Sequence, residues 1–137
     1  MKKLHQQVLW VAAGGAVGAL LRAFLLEIEP EYFPFSTVIV NIVGCMYLGW
    51  VLRKVRQGKL ADFHLPFQGT GIAGALTTFS MFSAETARFL EAAVDATGIF
   101  MLVLYSFGQI VVGFLVFHYS LQAAEKPSRT QKQVNLN

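Results

Sequence analysis

Apolar residues in this chain gather into four long, nearly continuous runs, at positions 7–26, 36–52, 67–90 and 98–121. None of the four alternates polar with apolar, as a half-buried strand or a lipid-facing barrel strand of about ten residues would. A helix that crosses a bilayer needs about 20 mostly apolar residues. The pattern therefore predicts an all-α membrane protein with four transmembrane helices.

The breaks between the runs carry the usual stop signals. Glu27, Glu29, Pro30 and Glu31 close the first, and Pro34 precedes the second, where proline suits a helix start. Arg53, Lys54, Arg56, Gly58 and Lys59 close the second. The first run continues through Gly14, Gly15, Gly18 and Arg22, which is longer than the apolar core of a signal peptide, so we expect it to be retained. Positions 1–124 are read as one four-helix transmembrane domain. Positions 125–137, polar and containing Pro127, are read as a disordered tail.

Composition agrees. Of 137 residues, 55% are hydrophobic and 14% charged, against about 25% charged in soluble domains. The mean hydropathy is +0.52. A single cysteine, Cys45, excludes an intrachain disulfide and reads as a small packing residue. The net charge of +3 does not point to nucleic acid, because no basic segment is interleaved with aromatic residues.

The charge is distributed by side. Lys2, Lys3, Arg53, Lys54, Arg56, Lys59, Lys126, Arg129 and Lys132 all fall on one side of a four-span chain, and they are nine of its eleven basic residues. The opposite loops hold Glu27, Glu29, Glu31, Glu91 and Asp95 and no Lys or Arg. By the positive-inside rule both termini are expected in the cytoplasm, with the chain a multi-pass protein of the plasma (inner) membrane.

The candidate chemistry lies within the spans. Gly14 and Gly18 form a small-residue pair that lets another backbone approach. Arg22, near the end of its span, is either a snorkelling residue or a charge at a pore mouth. Asn41, an amide in an apolar run, is either a helix-to-helix hydrogen bond or a donor to a passing anion. The third run is the most unusual. Gly69, Gly71 and Gly74 followed by Thr77 and Thr78 make a poor continuous helix, so this helix is expected to be broken near its middle. A break at membrane depth is tolerated only where backbone is buried in protein or lines water, and freed carbonyls can hold a cation. Phe79 and Phe82 share a helix face, which ordinarily means packing in the core or against lipid; the other reading is that the positive edges of their rings meet a weakly held anion. Glu85 and Arg88 are spaced for an ion pair. Tyr105 and Gln109, four apart, are placed to face one polar path.

In order along the chain, Gly14-Gly15-Ala16-Val17-Gly18-Ala19-Leu20-Leu21-Arg22, Asn41 with Gly44, and Gly74-Ala75-Leu76-Thr77-Thr78-Phe79-Ser80-Met81-Phe82-Ser83 resemble the CrcB/Fluc fluoride channel family over essentially everything but the tail. The resemblance implies a passive fluoride channel that is not an enzyme. It implies an antiparallel dimer with two pores, and a structural sodium ion (Na+) at its centre held by the backbone carbonyls of Gly74 and Thr77 from both subunits. It places Asn41, Phe79 and Phe82 along the fluoride path, where we also put Thr78, Ser80 and Tyr105. Arg22 matches the family's first-helix arginine and Glu85 its third-helix acid, at a pore mouth or as structural charge. The expected partners are the fluoride ion, the lipid bilayer and a second subunit.

Two features depart from the family pattern. Met81 stands where threonine is usual, which removes a hydroxyl beside the rings. The charge bias is stronger than a dual-topology homodimer tolerates, so pairing with an oppositely oriented paralogue competes with homodimerisation. The other readings are a small four-helix transporter of another substrate, which lacks the first-span carboxylate such transporters use, and a non-conducting accessory subunit.

Overall fold

The computed structural model describes residues 2–27 and 35–123, and these are helical throughout apart from short connections. The expected disordered tail at 125–137 lies outside the described residues. Helix α1 spans Lys2–Leu26 and α2 spans Phe35–Arg56. Helix α3 begins as a π-helical stretch, Leu65–Ala73, and finishes with one α-turn, Gly74–Leu76. Helix α4 is Phe79–Ala92 and α5 is Ala96–Gln122.

Three helices are long and apolar enough to cross a membrane, within Lys3–Leu25, Ser36–Arg56 and Ala96–Gln122. The third apolar run is divided instead between α3 and α4. The 14 residues of α4 rise about 21 Å, short of the roughly 30 Å hydrocarbon layer. The outer faces of α1 and α5 are apolar and open, with Leu20, Phe107 and Phe114 among the exposed side chains. Lipid accommodates such faces where water does not. The chain is a multi-pass membrane protein.

Helices α1 and α2 extend past their apolar runs, to Lys2 and Arg56. Long basic side chains keep their heads in water while the helix continues. Helix α2 then stops in a Schellman turn. Gly58 takes φ 65°, a left-handed conformation in which glycine has no Cβ penalty. The Gly58 N–H donates to the Val55 carbonyl and the Lys59 N–H to the Lys54 carbonyl.

Packing is ordered around α2, which lies along α5 on one side and meets α3 on another, while α1 runs along α3 and α4 leans on α5. Trp10 of α1 lies against Phe63, in the turn before α3, and against Phe67 in its first turn, and Arg53 at the end of α2 donates to the Ser120 carbonyl near the end of α5. The amino end of α1, the basic turn after α2 and the carboxyl end of α5 thus share one end of the bundle.

The crossing of α1 and α3 is backbone on backbone. A Cβ at Gly14 would run into the Phe67 carbonyl oxygen, one at Gly18 into that of Ile72, and one at Gly71 into the Gly14 Cα at 2.8 Å. The wide π coil, with Gly69 and Gly71 and with Pro66 at its first turn, brings its backbone into this seam. Gly14→Val should cost about 1–3 kcal/mol or more through overpacking. A thermal unfolding midpoint in detergent well below the parent's is expected, and Gly15→Ala, where nothing lies within 4 Å of the new atom, should leave it unchanged.

Candidate functional site

Between α3 and α4 the backbone leaves the helical region for two residues, Thr77 at φ −69°, ψ 150° and Thr78 at φ −137°, ψ 108°. Both threonines serve as local caps. The Thr77 N–H and Oγ1 both donate to the Ala73 carbonyl at 3.1 Å, and the Thr78 hydroxyl accepts from the Met81 N–H at 3.2 Å. Such side-chain bonds are how Ser and Thr replace helical ones at a terminus.

Asn41 of α2 clamps this segment. The Thr78 N–H donates to Asn41 Oδ1 at 2.7 Å, and Asn41 Nδ2 donates to the Thr78 carbonyl at 3.4 Å and to Gln109 Oε1 of α5 at 2.7 Å. The amide orientations follow from one another. A backbone N–H only donates, so Asn41 turns its oxygen to Thr78 and its nitrogen to Gln109. Gln109 must then offer its oxygen, which leaves Gln109 Nε2 as a buried donor without a partner among the described residues. Unmatched buried donors are uncommon and call for an explanation.

The same interruption releases two carbonyls. The Thr78 N–H, which would serve the Gly74 carbonyl in a continuous helix, goes to Asn41, and among the described residues the Gly74 oxygen has just a share of the Thr77 hydroxyl, at 3.4 Å against 3.1 Å to the Ala73 carbonyl. The Met81 N–H goes to the Thr78 hydroxyl, and Thr77 oxygen takes Arg22 Nη1 at 3.4 Å. Arg22 therefore turns inward to the interruption rather than out to the headgroups.

Gly74, Thr77, Thr78, Asn41, Gln109, Phe79 and Phe82 line one cavity of about 320 Å³ whose remaining wall is mostly apolar. Phe79 and Phe82 lie 5.8 Å apart, tilted by 43°. Phe79 is 79% exposed, so most of its ring faces away from its own chain. Ser80 is also exposed, and its hydroxyl lies 3.3 Å from that of Thr78. Gly44 adds nothing but space here, since a Cβ there would collide with the Thr77 methyl.

Tyr105 and Glu85 sit behind this cavity rather than on its wall. The Tyr105 ring is sandwiched between Phe82 and Phe89, at 6.0 and 4.9 Å. Its hydroxyl donates to Glu85 Oε2, while Oε1 accepts from the Thr37 hydroxyl at 2.7 Å. The ion pair that spacing suggests between Glu85 and Arg88 is thus replaced. Glu85 is 6% exposed and turns to α2 and α5 for its partners, whereas Arg88 is exposed. Tyr105→Phe should remove one of the two donors and lower stability by about 1 kcal/mol, read as a modest fall in the thermal midpoint.

Thr37 escapes a reading of the sequence. The signal that would find it is its spacing, one helical turn before Asn41 on the same face of α2. Gln109 is visible as a polar residue in an apolar run; its bond is to Asn41, and with Tyr105 it also lines a smaller cavity of about 220 Å³ between α2 and α5.

Residues 9–121 match the family model described as "CrcB-like protein, Camphor Resistance (CrcB)". A protein of Shewanella pealeana named fluoride-specific ion channel FluC is 37% identical over 101 residues, 71% of this chain and 82% of its own length. Proteins of the same name from Sulfurimonas denitrificans and Oceanobacillus iheyensis are 33% and 35% identical, covering 86% and 87% of this chain and 98% and 92% of their own lengths. With nearly all of the four apolar runs inside these matches, the chain belongs to the CrcB/Fluc family.

Proposed function

We propose that this chain is a subunit of a passive, fluoride-selective channel that lets cytoplasmic fluoride leave the cell. The curated relatives carry that name. The observation that supports it most here is the pairing of the unmatched Gln109 donor with Phe79 and Phe82 around one apolar cavity. A small anion that sheds water needs N–H donors and positive ring edges, held weakly enough to let it go. Gln109 Nε2 is one such donor, and the long bond from Asn41 Nδ2 to Thr78 is another that can be exchanged for an anion. Thr78 and Ser80 add hydroxyls beside the rings. Transport of this kind needs no nucleophile or redox group.

The assembly we propose is an antiparallel pair. The exposed Phe79 ring then meets the second subunit, and two pores run along the interface. The released carbonyls of Gly74 and Thr77 suit a structural sodium ion, because a hard cation prefers oxygen donors. Two oxygens are few for one ion, and a second subunit would double them. The Arg22 contact on Thr77 uses one of that oxygen's two lone pairs, leaving the other for the ion. When bound, the ion would neutralise the inward carbonyl dipoles and hold the two interruptions together.

The basic residues at one end of the bundle favour a single orientation, with both termini in the cytoplasm of a plasma-membrane protein, and hence a paralogous partner of opposite orientation. A reporter fused to the carboxyl terminus should be active only in its cytoplasmic form, and equal activity in both forms would refute the single orientation. The function itself is tested in cells that lack fluoride export. Expression of this chain with its native neighbours should restore growth on fluoride. Unchanged sensitivity, with the protein present in the membrane, would overturn the proposal.

A further inference from the structure

A second cavity, of about 590 Å³, opens on the face of α2 opposite the Asn41 site. It is walled by Val43, Met46, Tyr47 and Trp50 of α2, with Leu76 of α3, and Arg53 closes its end. Val43 and Arg53 are ten residues apart, so the cavity follows α2 for about 15 Å, half the hydrocarbon thickness and thus the depth of one leaflet. Arg53 also lines a third cavity of about 680 Å³ with Arg56, Gln57 and Gln122, at the end of the bundle that carries the basic turn. An apolar trough one leaflet deep therefore meets a basic, amide-lined bowl, and Arg53 stands at the join.

Arg53 is not fully used by the protein. Its Nη1 donates to the Ser120 carbonyl at 2.8 Å, but its Nε is buried and has no partner among the described residues. An unmatched buried N–H on a half-buried cation is expensive, and a phosphate oxygen is the acceptor whose geometry suits a guanidinium best. Tyr47 and Trp50 stack at 6.0 Å along the same wall, with Lys54 Nζ 5.8 Å from the Trp50 ring. Aromatic residues with cations at a helix end mark the headgroup level.

We propose that this groove binds an anionic phospholipid of the leaflet facing the basic turn. One acyl chain lies in the trough along α2, and the phosphate is held by Arg53 and Arg56. Basic pockets between membrane helices recognise anionic headgroups in this way. The site is separate from the cavity around Phe79, and the inference needs only that the chain sits in a membrane.

The test is native mass spectrometry of the full-length chain in detergent, titrated with phosphatidylglycerol, with phosphatidylcholine of the same acyl chains, and with glycerol phosphate. Phosphatidylglycerol should bind tightest. Arg56→Gln should weaken it about five-fold, the effect of one interfacial cation, with phosphatidylcholine unaffected. Arg53→Gln should weaken it further, and Arg56→Gln keeps the inference testable if loss of the Ser120 contact unfolds the chain. Equal affinity for the two lipids, glycerol phosphate binding as well as the lipid, no change in Arg56→Gln, or a second copy of the chain excluding lipid from the groove would each overturn it. Binding is read without fluoride, so a failure here leaves the channel reading standing.

Discussion

Phe79→Ile is expected to lower fluoride efflux from liposomes about ten-fold or more while leaving the chain as stable as its parent. The two halves of that expectation have different sources. Stability is spared because Phe79 is 79% exposed and its described ring contact is Phe82, 5.8 Å away, so little of the chain's own packing is removed. Efflux is lost because isoleucine has volume but no quadrupole. A favourable ring-edge interaction of about 1.5 kcal/mol is about a factor of ten in rate. Phe82→Ile should cut efflux as strongly but also destabilise, since that ring stacks on Tyr105. Efflux in Phe79→Ile equal to that of the parent would remove the ring from the fluoride route.

Asn41→Leu is expected to have the largest structural effect of any single substitution considered. It removes the acceptor of the Thr78 N–H and the donor to Gln109 Oε1 at one stroke. Each buried group left unmatched costs about 1–3 kcal/mol, so a loss of about 3 kcal/mol or more is expected out of a total of roughly 5–15 kcal/mol. Thr78 would then be free to rejoin a helical bond to Gly74, and the arrangement that releases that carbonyl would be lost. Asn41→Asp separates the roles. It keeps an oxygen for the Thr78 N–H and so holds the two extended residues, but it sets a carboxylate oxygen against Gln109 Oε1 and removes the donor. A thermal midpoint between those of the parent and Asn41→Leu, with efflux abolished in both variants, is the expected pattern. A normal midpoint for Asn41→Leu would mean that the clamp does not hold the segment.

How far the sequence reached is clearest in these residues. Continuous apolar runs are a strong signal, and the helices follow them. The weakness of the third run was legible, but the part played by its glycines was not. Gly69 and Gly71 remain helical, in a π coil whose breadth suits a backbone crossing with Gly14, Gly74 opens the α-turn that follows, and the extended residues are the two threonines, which carry their own caps. Residue types alone do not say which of several poor helix formers will leave the helix, because the answer depends on what each one touches. Glu85 meeting Tyr105 and Thr37, 20 and 48 positions away, is a fact of tertiary packing. So is the unmatched nitrogen of Gln109, which follows only after the orientations of Asn41 and Thr78 are known. The inward turn of Arg22 belongs with these, since its spacing fits the membrane surface equally well.

The most direct measurement is ion-selective electrode recording of liposomes that contain this protein purified together with whatever subunit accompanies it, loaded with equal fluoride and chloride. Release of fluoride with chloride retained, abolished by Phe79→Ile, is the predicted result. Release of both anions alike, or retention of both with the protein folded and inserted, would contradict it.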